Sequence, residues 1–476
     1  MKRKSTLARP PMDPTEYTPH YAYRHGELEC ESVRLTRVAD RVGTPAYVYS
    51  SGSIAGAYRQ FRRAFRAIPH SICYAVKANS NLSVLRLLAN LGSSFDIVSG
   101  GELYRLQRIG VAGRRIVFSG VGKTKEEVRE ALKADILLFN VESEAELDLL
   151  TEESSRLGRR AFAALRLNPN VLAGGHAHIS TGHHQHKFGI DWGHAQRLYL
   201  DKSRSRWISW RGISAHIGSQ VLQVGPYRRA VIRVASFVRL LSKSGLKLGY
   251  VDLGGGIGVR YTTESPIDFA EYARTLIRNV RPLGCRLLLE PGRAIVGPAG
   301  VLLTRVLHLK RNREKTFVVV DAAMNDFIRP ALYGAVHPVT HVVRSSGKRI
   351  RADVVGPVCE TGDCFLHDWP IELPQAGDLL ALWGGGRLRL LTGVELQFTF
   401  PARRSPGRQE RISSDSPPRV PERAGARRVV FPRGGTECGV TVYLAGRAAA
   451  RGCRAVTRSK DSQLRSFRHP GRMPSG

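Results

Sequence analysis

The side chains most able to do chemistry sit at the ends of short apolar runs. Cys73-Tyr74-Ala75-Val76-Lys77-Ala78-Asn79 reads as a buried strand that ends on a lysine and turns into Ser80-Asn81. A buried ammonium is costly unless paired, and burial lowers its pKa. A neutral amine of this kind attacks carbonyl carbon. The bland alternative is a strand-end lysine with a covered stem and a solvated head. Leu289-Glu290-Pro291-Gly292-Arg293 places a strand-end carboxylate before a turn and an arginine. Asp252-Leu253-Gly254-Gly255-Gly256-Ile257-Gly258 follows a strand and can aim backbone amides at a phosphate. No Lys-Ser/Thr follows, so this is no nucleotide P-loop, and a tight structural turn is the default for such a stretch alone. Ser214-Ala215-His216-Ile217-Gly218-Ser219-Gln220 ends another run, where a histidine is more often packed or capping than catalytic. His176, His178, His183, His184 and His186 lack a carboxylate or cysteine at a recognised ligand spacing, so no metal is expected there.

These residues share a rhythm. Apolar runs recur at 72–76, 95–98, 115–118, 136–139, 162–167, 212–216, 249–253 and 286–290. Helical periodicity fills most of the gaps, as at 82–89, 125–132 and 227–241. Eight strands alternating with helices predict an α/β fold, a parallel (β/α)8 TIM-type barrel. The runs close in order on Lys77, Ser99-Gly100, Ser119-Gly120, Asn140, Asn168, His216, Gly254 and Glu290. In such barrels the carboxyl ends of the strands carry the chemistry. After Gly292 the pattern changes. Strand-like runs at 301–309, 316–320, 341–343, 350–355 and 378–382 without amphipathic helices predict a C-terminal all-β domain. Residues 27–38 and 46–49 also read as extended. The expected division is an N-terminal arm with strands joining the β domain (1–45), the barrel (46–291), the β domain (292–383) and a basic, low-order tail (384–476).

The chain of 476 residues is long enough for two domains, and its 42% hydrophobic content is ordinary for a soluble protein. The net charge of +33 is not ordinary, and residues 384–476 hold 19 Lys+Arg against 6 Asp+Glu. Such charge favours anionic partners, but no recognition motif or aromatic-basic platform accompanies it, so no nucleic acid is expected. Seven scattered cysteines without a Cys-x-x-Cys pair point to reduced thiols in a cytoplasmic compartment. Met1-Lys2-Arg3-Lys4 is followed by no apolar segment, and no run approaches membrane-spanning length, so neither signal peptide nor membrane partner is expected.

Tyr74-Ala75-Val76-Lys77-Ala78-Asn79 resembles the cofactor-lysine motif of the alanine-racemase-like, fold-type III pyridoxal-phosphate decarboxylases, above all the diaminopimelate decarboxylase family. The resemblance runs from about Thr44 to Trp383. It implies a barrel plus β domain, pyridoxal 5′-phosphate as cofactor, and conversion of meso-diaminopimelate to lysine and carbon dioxide. Lys77 would carry the cofactor. Glu290 would face its ring nitrogen, a carboxylate that keeps it protonated. Pro291, Gly292 and Arg293 would share the phosphate with Gly254, Gly255 and Gly256, Ser219 would assist, and His216 would stack on the ring. Met324-Asn325-Asp326-Phe327-Ile328-Arg329-Pro330-Ala331-Leu332-Tyr333 resembles the family's substrate-carboxylate clamp, with Arg293, Arg329 and Tyr333 as candidates. An arginine fork grips a carboxylate at two points, as lysine cannot. Gly356-Pro357-Val358-Cys359-Glu360-Thr361-Gly362-Asp363 resembles a segment donated across a homodimer, Cys359 as proton donor and Glu360 holding the substrate's distal ammonium. The histidine-rich stretch matches a loop near the active site. A decarboxylase of ornithine, arginine or another basic amino acid is the nearest rival, and an inactive regulatory homologue is the rival from another class.

Beyond Trp383 the resemblance stops. The family continues with Gly-Ala-Tyr-Gly and then Ser-Asn-Tyr-Asn-Ser-Arg, whose tyrosine touches cofactor phosphate and substrate. This chain reads Gly384-Gly385-Gly386-Arg387-Leu388-Arg389-Leu390 and then Val394-Glu395-Leu396-Gln397-Phe398-Thr399. Codons for both stretches, read one base along, can spell the missing motifs, so residues beyond about 384 are expected to be out of frame. A lost tyrosine hydroxyl on a charged phosphate removes about 1.5–3 kcal/mol, or roughly ten- to hundred-fold in cofactor affinity. Restoring the frame is expected to raise cofactor affinity by that factor and to recover activity. Equal turnover before and after restoration would make the tail a genuine C-terminus, as would a gene sequence with no codons for the missing motifs.

Overall fold

The computed structural model describes residues 13–171, 188–313 and 315–386, and the backbone of 431–433, 436–438 and 440–444. His176, His178, His183, His184 and His186 lie outside the described residues.

All eight expected runs are strands, His70–Ala75, Ser94–Ile97, Ile116–Phe118, Leu138–Val141, Ala161–Leu167, Ile208–Ala215, Tyr250–Asp252 and Arg286–Leu289. Each pairs in parallel with its neighbour, and the eighth returns to the first through Leu287↔His70, which closes the barrel. Because side chains alternate along a strand, every second residue enters the barrel. Cys73, Val117, Leu138, Ala164 and Leu288 form a small buried cluster there, apart from the large core that packs the strands against the helices. Two residues further along four of these strands come Ser119, Asn140, Arg166 and Glu290, so an apolar layer is followed by a polar one at the carboxyl ends. Asp96 and Asp252 belong to the same layer, and both are fully buried.

The helices start on designed-looking caps. Ser99 accepts from the Glu102 amide, Ser143 from Glu146, and Thr124 forms a full capping box with Glu127. The expected helices at 82–89, 125–132 and 227–241 are Leu82–Asn90, Lys125–Lys133 and Val224–Lys243.

The second sheet runs Val339–His341, Leu379–Trp383, Gly300–Asn312, Lys315–Val320, Arg349–Val355 and Cys364–Glu372 in spatial order. Ala46–Ser50 belongs to this sheet and not to the barrel, through pairing of Ala46 with Leu303 and Tyr49 with Gly300. Tyr21–Arg24, Glu27–Cys30 and Val33–Arg34 form a separate three-stranded sheet, bridged to the second domain by Glu27↔Val343.

Three readings of the sequence need correction. Residues 35–38 are helical, within Leu35–Val42, because Leu35, Val38 and Ala39 share one helical face and bury it against Leu28, Cys30 and Trp383. Cys364–Glu372 is a strand that broken alternation and Pro370 concealed; it lies at the sheet edge, where a proline is tolerated. The tail is not uniformly without regular backbone. Val440–Leu444, rich in β-branched and aromatic residues, pairs antiparallel with Ala46–Ser50.

Candidate active site

Lys77 lies in a single 3-10 turn, Val76–Ala78, that follows the first barrel strand. Its Nζ donates to Asp96 Oδ2 at 3.0 Å, while 45% of its side chain stays accessible at the barrel mouth. Asp96 is fully buried, and its Oδ1 has no partner among the described residues. Across the mouth, Asn140 Nδ2 lies 2.8 Å from Asp252 Oδ2, 3.1 Å from Ser119 Oγ and 3.4 Å from Glu290 Oε1. Burial, joined by repulsion from Asp252 and Asp96, pushes the Glu290 carboxyl well above the usual range. Burial raises Asp252 as well. Carboxyl groups this close hold on to a proton, because both cannot ionise cheaply. Lys77 corrects the expectation of a depressed amine. Burial pulls its pKa down, but Asp96 and Glu290 outweigh that, and the net shift is upward.

The sixth, seventh and eighth strand ends interlock beside this acidic floor. The Gly255 amide donates to His216 Nδ1 at 3.3 Å, and the Glu290 amide donates to the Gly254 carbonyl at 2.8 Å. Burial, then the charges of Arg166 and Lys77, hold the His216 pKa well below its ordinary value, so the ring is a neutral acceptor. No side chain fits at the glycines: a Cβ on Gly254 would stand 2.3 Å from His216 Nδ1, and one on Gly255 2.1 Å from the Glu290 carbonyl oxygen. The Ala75 amide donates to the Pro291 carbonyl at 3.2 Å, tying the eighth strand's turn to the lysine strand. Gly292 then caps the short helix Arg293–Val296. Arg293 Nη2 donates to Ser219 Oγ at 3.0 Å and Nη1 to Tyr261 Oη at 2.8 Å, leaving its buried Nε without a partner among the described residues.

The second domain adds Arg329, whose guanidinium carbon sits 4.6 Å from the Tyr261 ring centroid. Its Nη1 donates to His337 Nε2 at 3.2 Å, while His337 Nδ1 donates to the Trp383 carbonyl at 2.8 Å. Burial lowers the Arg329 pKa, the nearby Arg293 adds to that, and Tyr333 is close enough to act the other way. Arg293 and Arg329 therefore meet over Tyr261, with hydroxyl and imidazole partners and, among the described residues, no carboxylate.

Lys77, His216, Ser219, Gly254, Gly255, Gly256, Glu290, Pro291, Gly292, Arg293 and Arg329 thus gather at one mouth, with Tyr333 beside them. Nothing among the described contacts ties Cys359 or Glu360 to them. Both are exposed on a loop pinned by Asp363, whose Oδ1 and Oδ2 accept the Met324 and Val358 amides at 2.6 and 2.7 Å. Sequence reasoning missed Asp96, Arg166, Tyr261 and His337. Strand alternation flags the first two, as charged residues at inward positions of apolar strands; nothing local flags Tyr261 or His337.

An amine held on an acidic floor, beside a glycine-lined cradle and two guanidinium groups, defines a barrel enzyme built for an anionic, carbonyl-bearing cofactor. The sequence profile of the family described as pyridoxal-dependent decarboxylase, pyridoxal binding domain, matches residues 51–297. The chain is 45% identical over 376 residues to the diaminopimelate decarboxylase of Aquifex aeolicus, covering 78% of this chain and 88% of that one. The enzyme of that name from Pseudomonas aeruginosa is 45% identical over 366 residues, 77% of this chain and 88% of its own. The crystal structure of Helicobacter pylori diaminopimelate decarboxylase complexed with L-lysine superposes with a TM-score of 0.72 at 40% identity, covering 74% of this chain and 89% of that chain. The chain belongs to the diaminopimelate decarboxylase family of pyridoxal-dependent decarboxylases.

Two predictions follow from the acidic floor. Asp96→Asn is expected to lower the Lys77 pKa, read as a downward shift in the pH midpoint for borohydride trapping of pyridoxal on Lys77; an unmoved midpoint would remove Asp96 from that role. Glu102, buried and accepting the Val98 amide, is pushed up to about 7, chiefly by burial. Its folded state therefore binds more protons than the unfolded chain between about 4.5 and 7, and its contribution to stability is lost as pH rises through that window. Glu102→Gln should flatten the fall in melting temperature across it, and a parallel pair of curves would contradict the assignment.

Proposed function

We propose that this chain decarboxylates meso-2,6-diaminopimelate to L-lysine and carbon dioxide with pyridoxal phosphate bound at Lys77. The observation that carries the reading is the meeting of Lys77, the Glu290 carboxyl and the Arg293–Arg329 pair at one barrel mouth. The residues fit the cofactor. Among the described residues the acidic floor faces no cation but Lys77 and suits a protonated ring nitrogen, the Lys77 amine suits its carbonyl carbon, and Arg293, Ser219 and the amides of Gly254, Gly255 and Gly256 suit its phosphate. Bound there, the cofactor supplies a ring that accepts the electron pair left when the carboxylate departs.

The protein's own residues do the rest. Glu290, which retains a proton in the free protein, would pass it to the ring nitrogen and then pair with it as a carboxylate, and the neutral His216 would offer a flat face without a competing charge. Arg329 and Tyr333 hold the carboxylate that stays, which the Tyr261 and His337 contacts orient. Departure of carbon dioxide leaves a carbon that must gain a proton, and the Cys359 thiol donates it. Glu360 pairs with the distal ammonium. The exposure of Cys359 and Glu360 leaves them free to serve the site of a second copy, as the family resemblance implies, and the working unit is a homodimer. Among the described residues no helix is long and apolar enough to cross a membrane, and we place the reaction in the cytoplasm.

The chain as written and the chain with its frame restored at about residue 384 are assayed side by side. Carbon dioxide release is expected to be fastest from meso-diaminopimelate, against ornithine and arginine, and Lys77→Ala should abolish both turnover and the visible cofactor band. Faster release from ornithine or arginine would overturn the substrate, and a cofactor band that survives Lys77→Ala would overturn the attachment.

A further inference from the structure

Far from the lysine along the chain, three donors of different kinds converge on the outermost strand pair of the second sheet, Arg349–Val355 with Cys364–Glu372. His367 Nδ1 lies 3.1 Å from Asp353 Oδ2 and 3.4 Å from Cys364 Sγ. All three ligand atoms lie within 4.8 Å of one another. Residues three apart on a regular strand face opposite sides, so Cys364 and His367 should not meet. Here the ladder slips on both sides of Val354, and Asp368 takes a left-handed φ of 48°. That irregular stretch turns both side chains toward Asp353, the kind of re-aiming that bulges provide next to functional groups.

A nucleophilic relay would use the two ring nitrogens, one toward the thiol and one toward the carboxylate. Both neighbours meet Nδ1 instead, which suits a shared cation. Around a tetrahedral zinc ion, bonds of about 2.3 Å to sulfur and about 2.0 Å to nitrogen or oxygen separate sulfur from nitrogen by about 3.5 Å and nitrogen from oxygen by about 3.3 Å. The observed 3.4 and 3.1 Å are close to those spans. Lys315 Nζ stands 2.7 Å from Asp353 Oδ2, a cation already drawn to this corner, on a side chain that is 54% exposed and free to swing away. The Asp368 amide holds the other Asp353 oxygen at 2.9 Å and orients the carboxylate, as outer partners of metal ligands do.

We propose that Asp353, Cys364 and His367 form a binding site for a zinc-class divalent cation, with water in the fourth position. Binding releases the Cys364 thiol proton to solvent and leaves the imidazole hydrogen on Nε2. Cys364 directly follows Asp363, so the cation braces the C-terminal root of the Cys359–Glu360 loop.

The test loads the full chain with Co²⁺ and Zn²⁺. One Co²⁺ per chain is expected, with a near-ultraviolet thiolate-to-cobalt band that disappears in Cys364→Ser and persists in Cys359→Ser. His367→Ala should weaken binding by more than the roughly ten- to hundred-fold that loss of an outer partner alone can cost, and Lys315→Ala should tighten it. A missing band, or one that survives Cys364→Ser, overturns the site. A second readout needs no variant: Zn²⁺ should protect Cys364 from alkylation in the unmutated chain, mapped by peptide mass, and equal labelling with and without Zn²⁺ overturns the proposal as well.

Discussion

One ammonium facing carboxyl groups that have no other cation among the described residues sets the terms for the whole barrel mouth. Strand alternation sends Asp96, Asp252 and Glu290 inward together, and an unpaired buried carboxylate costs several kcal/mol even after relaxation. Lys77 neutralises one of them directly at 3.0 Å. The others are managed without charge, by the Asn140 amide and by a retained proton on the Asp252–Glu290 pair. Removing the lysine would therefore unbalance residues on several strands at once.

The opposite wall has the reverse shortage. Arg293 and Arg329 approach one tyrosine ring and find no carboxylate among the described residues. Two histidines, His216 and His337, stay neutral for the same pair of reasons, burial and a neighbouring cation, and both act as hydrogen-bond acceptors. An acidic floor and a basic wall in one cavity suit a guest that is itself dipolar, with a cationic ring nitrogen at one end and anionic groups at the other. The membership of the family and the electrostatics of the mouth point the same way from independent starting points.

Much of this was legible in the sequence because barrel strands carry strong, repeated signals. Lys77, His216, Gly254 and Glu290 each end an apolar run, and each of them lies at the mouth. What stayed hidden obeys no local rule. Tyr261 comes from the stretch after the seventh strand, and its place in the site is set by residues distant in sequence, Arg293 at its hydroxyl and Arg329 over its ring. Helix Leu35–Val42 passed for a strand because eight residues carry too few turns to show a period, and its burial against Trp383 decides its form. Asp96 was available in principle, as a carboxylate inside Phe95-Asp96-Ile97. The elevated pKa of Lys77 was not, since burial alone argues for the opposite sign and the partners come from other strands.

Barrel closure has a consequence for how the site comes into being. The first and eighth strands pair with each other, at Leu287↔His70, while every other pairing joins neighbours in sequence. Loop-closure entropy makes that contact the most demanding one in the barrel. Lys77 and Glu290 stand at the ends of those two strands, so their juxtaposition requires the contact of longest sequence separation in the barrel. A chain emerging from the ribosome can pair Lys77 with Asp96 early, but lacks the Glu290 carboxyl until residue 290 has been synthesised and docked. The complete acidic floor is thus assembled only once the eighth strand is in place, and an unfinished chain offers the lysine with Asp96 alone.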